Sequence, residues 1–164
     1  GVFSIPGNHE YYSDYVEWMK AFDGLGLNML KNGHAVVIVR DRPLVIAGTT
    51  DRVAPNFGLP QPDIRAALNG IPDDAPVILM AHQPRGAAEN AGAGVNLQLS
   101  GHTHGGQIMG AHWLVQLVNE GFVSGLYDVG DMKLYVSNGT GLWNGFPIRL
   151  GRTAEITEIV LHAG

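Results

Sequence analysis

Apolar residues occur along this chain in short runs separated by glycine, proline and asparagine. Val2 to Ile5 is one such run, stopped by Pro6-Gly7, the pattern of a buried strand feeding a loop. Asp14 and Glu17 have the spacing of a capping box, and Tyr15, Trp18, Met19 and Phe22 recur at i, i+3, i+4 and i+7 before Gly24 and Gly26. This predicts one amphipathic helix whose aromatic stripe faces the core. "NMLKNGHAVVIV" places Asn32-Gly33 between two strand-like runs, a hairpin signal, and a second turn at Asp41-Arg42-Pro43 leads into "LVIAGTT". Three strands in series are expected there. Residues 62–69, "PDIRAALN", read as a short helix with Pro62 near its start, and "APVILMAHQP" as a buried strand ending at His82. "VNLQLSGHTH" repeats that arrangement, with a strand ending at His102. From residue 105 to 132 the periodicity fades into glycine-punctuated loop, and "KLYVSNGTG" and "AEITEIVL" are two further strand candidates. Strands alternating with two helices point to an α/β or α+β sandwich with partly antiparallel sheets.

A length of 164 residues fits one domain, and 45% hydrophobic against 15% charged residues, with 23 Gly and 9 Pro, describes a globular, loop-rich chain. The formal charge of -5 comes with no cluster of Lys or Arg beyond pairs such as Arg40 and Arg42, which disfavours a nucleic-acid surface. The absence of cysteine removes disulfides and thiolate metal sites, so a transition metal would have to be held by His, Asp, Asn or Glu. The longest apolar runs, Ala35 to Val39 and Val77 to Ala81, fall far below the roughly 20 residues that cross a bilayer. The opening "GVFSIPGNHE" lacks the features of a signal peptide and reads as a strand entered in mid-fold.

Three predicted strands end in the same chemistry: Ile5 runs into "GNHE", Met80 into "AHQP" and Leu99 into "SGHTH". In open α/β sheets ligands collect where strands finish, and imidazole is the commonest metal ligand. His34, His112 and His162 stand apart from this pattern and are left unassigned. Asn8, His9, His82, His102 and His104 fall together after strand ends, and that company singles them out.

With "GNHE" at 7–10, the His82 of "MAHQP" and "GHTH" at 101–104, the chain resembles the calcineurin-like metallophosphoesterases, matching the last three of that family's five motifs in order and spacing. The strings "SGHTHGGQ", "YVSNGTGLW" and "PIRLGRTAEIT" look like its bacterial membrane-associated or exported branch. The resemblance implies the C-terminal half of a metallophosphoesterase-type α/β sandwich with mixed parallel and antiparallel strands. It implies that Asn8, His82 and His102 ligate one metal of a dinuclear centre and His104 the other. By the same resemblance His9 faces the substrate as the catalytic residue, and Glu10 has no catalytic role. The cofactors would be two divalent ions, Mn2+, Fe2+/Fe3+ or Zn2+, which mixed N and O ligands do not rank. The implied activity is hydrolysis of a phosphomonoester or phosphodiester, small-molecule or lipid, by metal-activated hydroxide.

The family's Asp-x-His and Gly-Asp-x-x-Asp motifs do not occur in the chain, and "GDM" at 130–132 lacks the second aspartate, so Asp131 receives no role. The expectation is a partial domain over 1–164 that holds at most one ion, weakly, is inactive alone and self-associates through uncovered apolar faces. The rival is a domain of the same fold that binds a metal or a partner without turnover. By resemblance the parent protein is membrane-associated or exported, any anchor lying upstream, with this segment itself soluble. Asp51 in "GTTDRV" follows a strand end, where an aspartate either lines a substrate cleft or caps its own turn, and the cap is the reading taken; "NGTG" at 138–141 reads as a tight turn. Trp143, Phe146 and Pro147 form either an apolar rim for a lipid or a core closure.

Overall fold

The computed structural model describes residues 1–143 and 147–162. In chain order its regular elements are β1 (Phe3–Ser4), α1 (Asn8–Ser13), α2 (Tyr15–Gly24), β2 (Asn28–Met29), β3 (Gly33–Val39), β4 (Arg42–Gly48), α3 (Ile64–Ala67), β5 (Val77–Met80), α4 (Ala87–Gly92), β6 (Leu97–Ser100), α5 (His112–Val118), β7 (Gly125–Val129) and β8 (Met132–Val136). Six strands form one sheet in the order β3-β4-β5-β6-β8-β7, and β1 pairs with β2 in a separate two-stranded sheet. The pairs β4–β5, β5–β6 and β6–β8 are parallel, while β3 and β7 close the two edges antiparallel. Parallel neighbours need long crossovers, and α3 and α4 lie in the crossovers on either side of β5. The fold is α/β with a mixed sheet, the class that the family resemblance implies and one of the two that the spacing of strands and helices leaves open.

Alternation within each strand sorts the sheet's faces. Val45 and Ala47 of β4, Val77 and Leu79 of β5, and Met132, Leu134 and Val136 of β8 are buried, and they cluster with Ile64 of α3 and Ala87 of α4. The registers put Ala47, Leu79, Gln98 and Leu134 in one row across four strands. Gln98 is a fully buried polar residue in that row. Its amide is satisfied on both sides, donating to Ser100 Oγ at 3.0 Å and accepting from Asn90 Nδ2 at 2.9 Å, so burial carries no unpaired-group penalty.

Four expectations change. Asn32-Gly33 is not a hairpin turn: β2 pairs in parallel with β1, and the antiparallel partner of β3 is β4. Asn32 takes a left-handed φ of 55°, and its side chain explains why asparagine stands there. The Oδ1 atom accepts from Thr50 N (3.1 Å), Thr50 Oγ1 (3.3 Å) and Asp63 N (3.1 Å), and Nδ2 donates to the Gln61 carbonyl at 2.8 Å. The true hairpin turn is Arg40-Asp41, both left-handed as a two-residue primed turn requires, with Arg42 and Pro43 already in β4. Residues 105–132, read as loop, contain α5 and β7. "AEITEIVL" forms no strand; Ile156 is 91% exposed.

The α2 helix starts as expected, with Glu17 N donating to Asp14 Oδ1 at 3.2 Å. Its aromatic stripe is less covered than a core stripe would be: Trp18 is exposed, and Tyr15, Met19 and Phe22 are half-buried. Of the residues read as either an apolar rim or a core closure, Trp143 is half-buried, Pro147 is exposed, and Phe146 lies outside the described residues.

Because Asn32 supplies both the left-handed corner and four hydrogen bonds joining three loops, Asn32→Ala is expected to destabilise the fold by about 1–3 kcal/mol. Urea denaturation followed by circular dichroism reads this as a lowered midpoint; an unchanged midpoint would show that the corner holds without its side chain.

Candidate functional site

Three chain segments leave the sheets at one place. After β1, Pro6 and Gly7 turn the chain directly into α1, so "GNHE" is not loop as its glycine suggests: Asn8, His9 and Glu10 form the helix's first turn. The Glu10 carboxylate caps that turn, accepting from Gly7 N at 2.7 Å. β5 ends at Met80 and β6 at Ser100, each two residues before the histidine that the apolar pattern takes as its end. Backbone bonds from Ala81 N to Leu99 O (3.1 Å) and from Gly101 N to His82 O (3.0 Å) continue the pairing and hold the two histidine loops side by side.

Asn8, His82 and His102 come together there. Asn8 Oδ1 lies 2.8 Å from His82 Nε2 and 3.2 Å from His102 Nδ1, and the two ring nitrogens are 3.3 Å apart. Two neutral rings bring at most two protons to these three contacts. If both point at the amide oxygen, the protons crowd each other; if one does, a lone pair faces another lone pair. An ion about 2.0–2.2 Å from each of its donors spaces those donors roughly 3 Å apart, the size of this triangle. Among the described residues no three His, Asp or Glu side chains gather around one point; the third donor here is an amide oxygen. The donor set fits one divalent ion of N/O preference.

Burial sets the protonation of the rings. It holds His82 at a pKa of about 3, with further lowering from the neighbouring His102, His104 and His9. His102 is held at about 4, first by burial and then by His104, His9 and Arg85. His104 is also lowered, by burial first and with Arg149 pushing the same way. The lone pairs are therefore free at neutral pH.

His104 stands at the edge of this cluster. Its Nδ1 lies 3.1 Å from the Gly141 carbonyl, which only accepts, so the proton sits on Nδ1 and Nε2 keeps its lone pair. The loop that carries it is left-handed at His102 (φ 67°), His104 (50°), Gly105 (65°), Gly106 (73°) and Gln107 (53°). Thr103, fully buried, pins this loop by donating to the Val123 carbonyl at 2.7 Å. His9 lies outside the triangle, exposed at the start of α1, with its ring edge-on to Tyr12 at 5.6 Å.

Several neighbours of these residues received no site role from the sequence. Asp51 is buried and does cap its own turn, accepting from Val53 N at 2.9 Å, but it also receives Gln83 Nε2 at 3.0 and 3.2 Å. Burial raises its pKa. Tyr11, one turn along α1 from Asn8, accepts from Asp51 N at 3.4 Å. Gln83 follows His82 directly, so this network ties the Asn8 helix to the His82 loop; adjacency to the two donors was its only sequence signal. A polar cavity of about 280 Å³ opens beside it, lined by Asp51, Arg52, His82, Gln83 and Arg85 among others. Asn138 of "NGTG" is 8% exposed, with its amide bound to Ser124, Thr153 and Glu155, so the side chain is buried and engaged while Thr140 two residues on is exposed.

Comparison with known proteins gives relatives across nearly the whole chain. Over 98% of its length the chain is 38% identical to a Danio rerio protein named transmembrane protein with metallophosphoesterase domain, of which it covers 38%. An uncharacterized metallophosphoesterase of Helicobacter pylori is 37% identical over 98% of the chain and 42% of that protein. One of Bacillus subtilis is 30% identical over 99% of the chain and 57% of that protein. The chain thus spans about two-fifths of the first two relatives. Vertebrate and bacterial proteins match alike, so the matches do not single out the bacterial exported branch. No family profile and no solved structure matches the chain. Among the described residues no helix is long and apolar enough to cross a membrane.

A Cβ on Gly7 would fall 2.8 Å from His82 Cε1 and 3.0 Å from both ring nitrogens. Gly7→Ala is therefore expected to displace the ring and weaken binding of Mn2+ or Zn2+ by about 10–100-fold in calorimetry; unchanged affinity would show that the triangle does not hold the ion. Acid acts on the same rings. Below the ordinary imidazole value of 6.5 the unfolded chain takes up protons that folded His82 and His102 resist down to about 3 and about 4. Stability of the metal-free chain should be level above about pH 7 and decline from there toward pH 4, read as melting temperature in chelator. A melting temperature that rises on acidification would contradict this sign.

Proposed function

Because the chain belongs to the metallophosphoesterase family, we propose that it is the metal-holding portion of a metal-dependent hydrolase of phosphomonoesters or phosphodiesters. The observation that carries the reading is the triangle of Asn8, His82 and His102 at three converging chain segments. The family implies divalent metal cofactors. When bound, divalent ions supply Lewis-acid charge to phosphoryl oxygens and a water acidic enough to attack near neutral pH.

The chain's own residues have distinct tasks. Asn8, His82 and His102 hold one ion through neutral donors, which leave its charge undiminished for an anionic substrate. His104 offers Nε2 to the second ion, Nδ1 being engaged by Gly141. His9, exposed and next in sequence to Asn8, faces the substrate and gives a proton to the departing alkoxide. The substrate, a small-molecule or lipid phosphoester, and self-association of the isolated chain belong to the same proposal. So does a membrane-associated or exported parent.

The full-length protein is expected to hydrolyse p-nitrophenyl phosphate or its bis-ester only with Mn2+ or a similar ion. His9→Ala is expected to lower kcat by about 10²–10⁴-fold with metal content unchanged. The isolated 164-residue chain should bind at most one ion by metal analysis and turn over neither substrate. Metal binding without turnover in the full-length protein would favour the non-catalytic rival, and two tightly held ions in the isolated chain would refute the division between the two parts.

A further inference from the structure

Arg149 has no role in any of the motifs above, yet its guanidinium is spent on the loops around His104. Nη1 donates to the His104 carbonyl at 3.0 Å, and Nη2 reaches the carbonyls of Asn138 (2.7 Å), Gly139 (3.2 Å) and Gly141 (2.6 Å). The Gly141 carbonyl is the one that accepts His104 Nδ1–H. One oxygen thus joins the guanidinium to the imidazole, and a second contact fixes the backbone from which that imidazole springs. The arginine is itself anchored: its neighbour Leu150 donates to the Gln107 carbonyl at 3.0 Å and accepts from Met109 N at 2.9 Å.

We propose that Arg149 is a positioning residue for His104: by holding the Gly141 carbonyl against Nδ1–H and the His104 carbonyl in place, it locks the ring in one tautomer with Nε2 left open to a cation. An imidazole without such a partner exchanges its proton between the two nitrogens, and its ring turns about the Cβ bond. Fixing the nitrogen opposite the ligand nitrogen is how outer partners of metal-binding histidines act. Arginine suits the task because its planar fork spans several carbonyls at once, whereas a lysine ammonium presents a single point. The consequence for a second ion rests on the reading of His104 as its ligand; the tautomer itself does not.

The test uses the full-length protein with 15N-labelled histidine in chelator at pH 8, where two-bond 15N–1H correlations show which ring nitrogen carries the proton, His104 being assigned by His104→Gln. In the natural sequence His104 is expected to be wholly Nδ1–H. Arg149→Ala and Arg149→Lys should each give mixed tautomers at His104 while the His82 and His102 signals stay in place. In calorimetry both variants should weaken the second bound ion by about 10–100-fold and leave the first unchanged. A His104 protonated on Nε2 in the natural sequence overturns the proposal, as does an unaltered tautomer in both variants. Simultaneous displacement of the His82 and His102 signals in both variants also overturns it, because Arg149 would then support the fold at large. Failure of the hydrolase reading would appear as absent turnover with the tautomer pattern intact.

Discussion

The site depends on two places where the small sheet touches the large one with no side chain between them. A Cβ on Gly48, at the end of β4, would fall 2.6 Å from both Ile5 Cγ2 and Leu30 Cβ, and a Cβ on Gly7 would fall within the His82 ring's contact radius. Parallel pairing fixes the height of β1 against β2, with Leu30 N donating to Ser4 O at 2.8 Å. Together these contacts bring the start of α1 down onto the end of β5, and only then can the Asn8 amide reach between two imidazoles carried by a different sheet. Packing, not an attraction between the polar groups, makes the assembly: three mutually close lone-pair donors would otherwise prefer water.

That assembly has an electrostatic consequence. Burial suppresses protonation of His82 and His102 far below neutral pH, so both rings are neutral at the pH where a cation would bind. The nearby carboxylate of Asp51 does not join it. It is buried, raised in pKa and engaged by Gln83 and its own turn, and serves to tie the loops that carry the donors. Polar groups around the site thus divide into the Asn8, His82 and His102 triangle, whose three contacts two ring protons do not fully satisfy, and those whose hydrogen bonds tie the surrounding loops.

Much of this was legible in the chain. Apolar runs located β4, β5, β6 and β8, with β5 read as buried, and the strings "GNHE", "AHQP" and "SGHTH" named the donors that converge; that these four strands pair in parallel came from the structure. What failed was information that lies in partners distant along the chain. Asn32-Gly33 has the local chemistry of a hairpin, but its asparagine is recruited by Thr50, Gln61 and Asp63, and β2 finds its partner in β1. Glycine at the head of "GNHE" suggested a loop, whereas Glu10 closes a cap back onto Gly7 and starts a helix. α5 was invisible because "HWLVQLV" buries none of its residues and so shows no amphipathic period. Asp51, Gln83 and Arg149 stand inside the quoted strings "GTTDRV", "AHQP" and "PIRLGRTAEIT" without an assigned site role, and only contact reveals what they hold.

The loop from His102 to Gln107 also imposes a grammar on its own sequence. Five of its six residues have positive φ, and they are histidines, glycines and a glutamine; the sole β-branched residue, Thr103, occupies the single position with negative φ, at -74°. Branching at Cβ is excluded from the left-handed region far more strongly than it is elsewhere. The handedness of the backbone therefore acts as a filter on which letters can be written there, independent of chemistry. Substitutions in this stretch face two separate examinations, one of shape and one of function, and a residue able to bind a metal still fails if it cannot turn left.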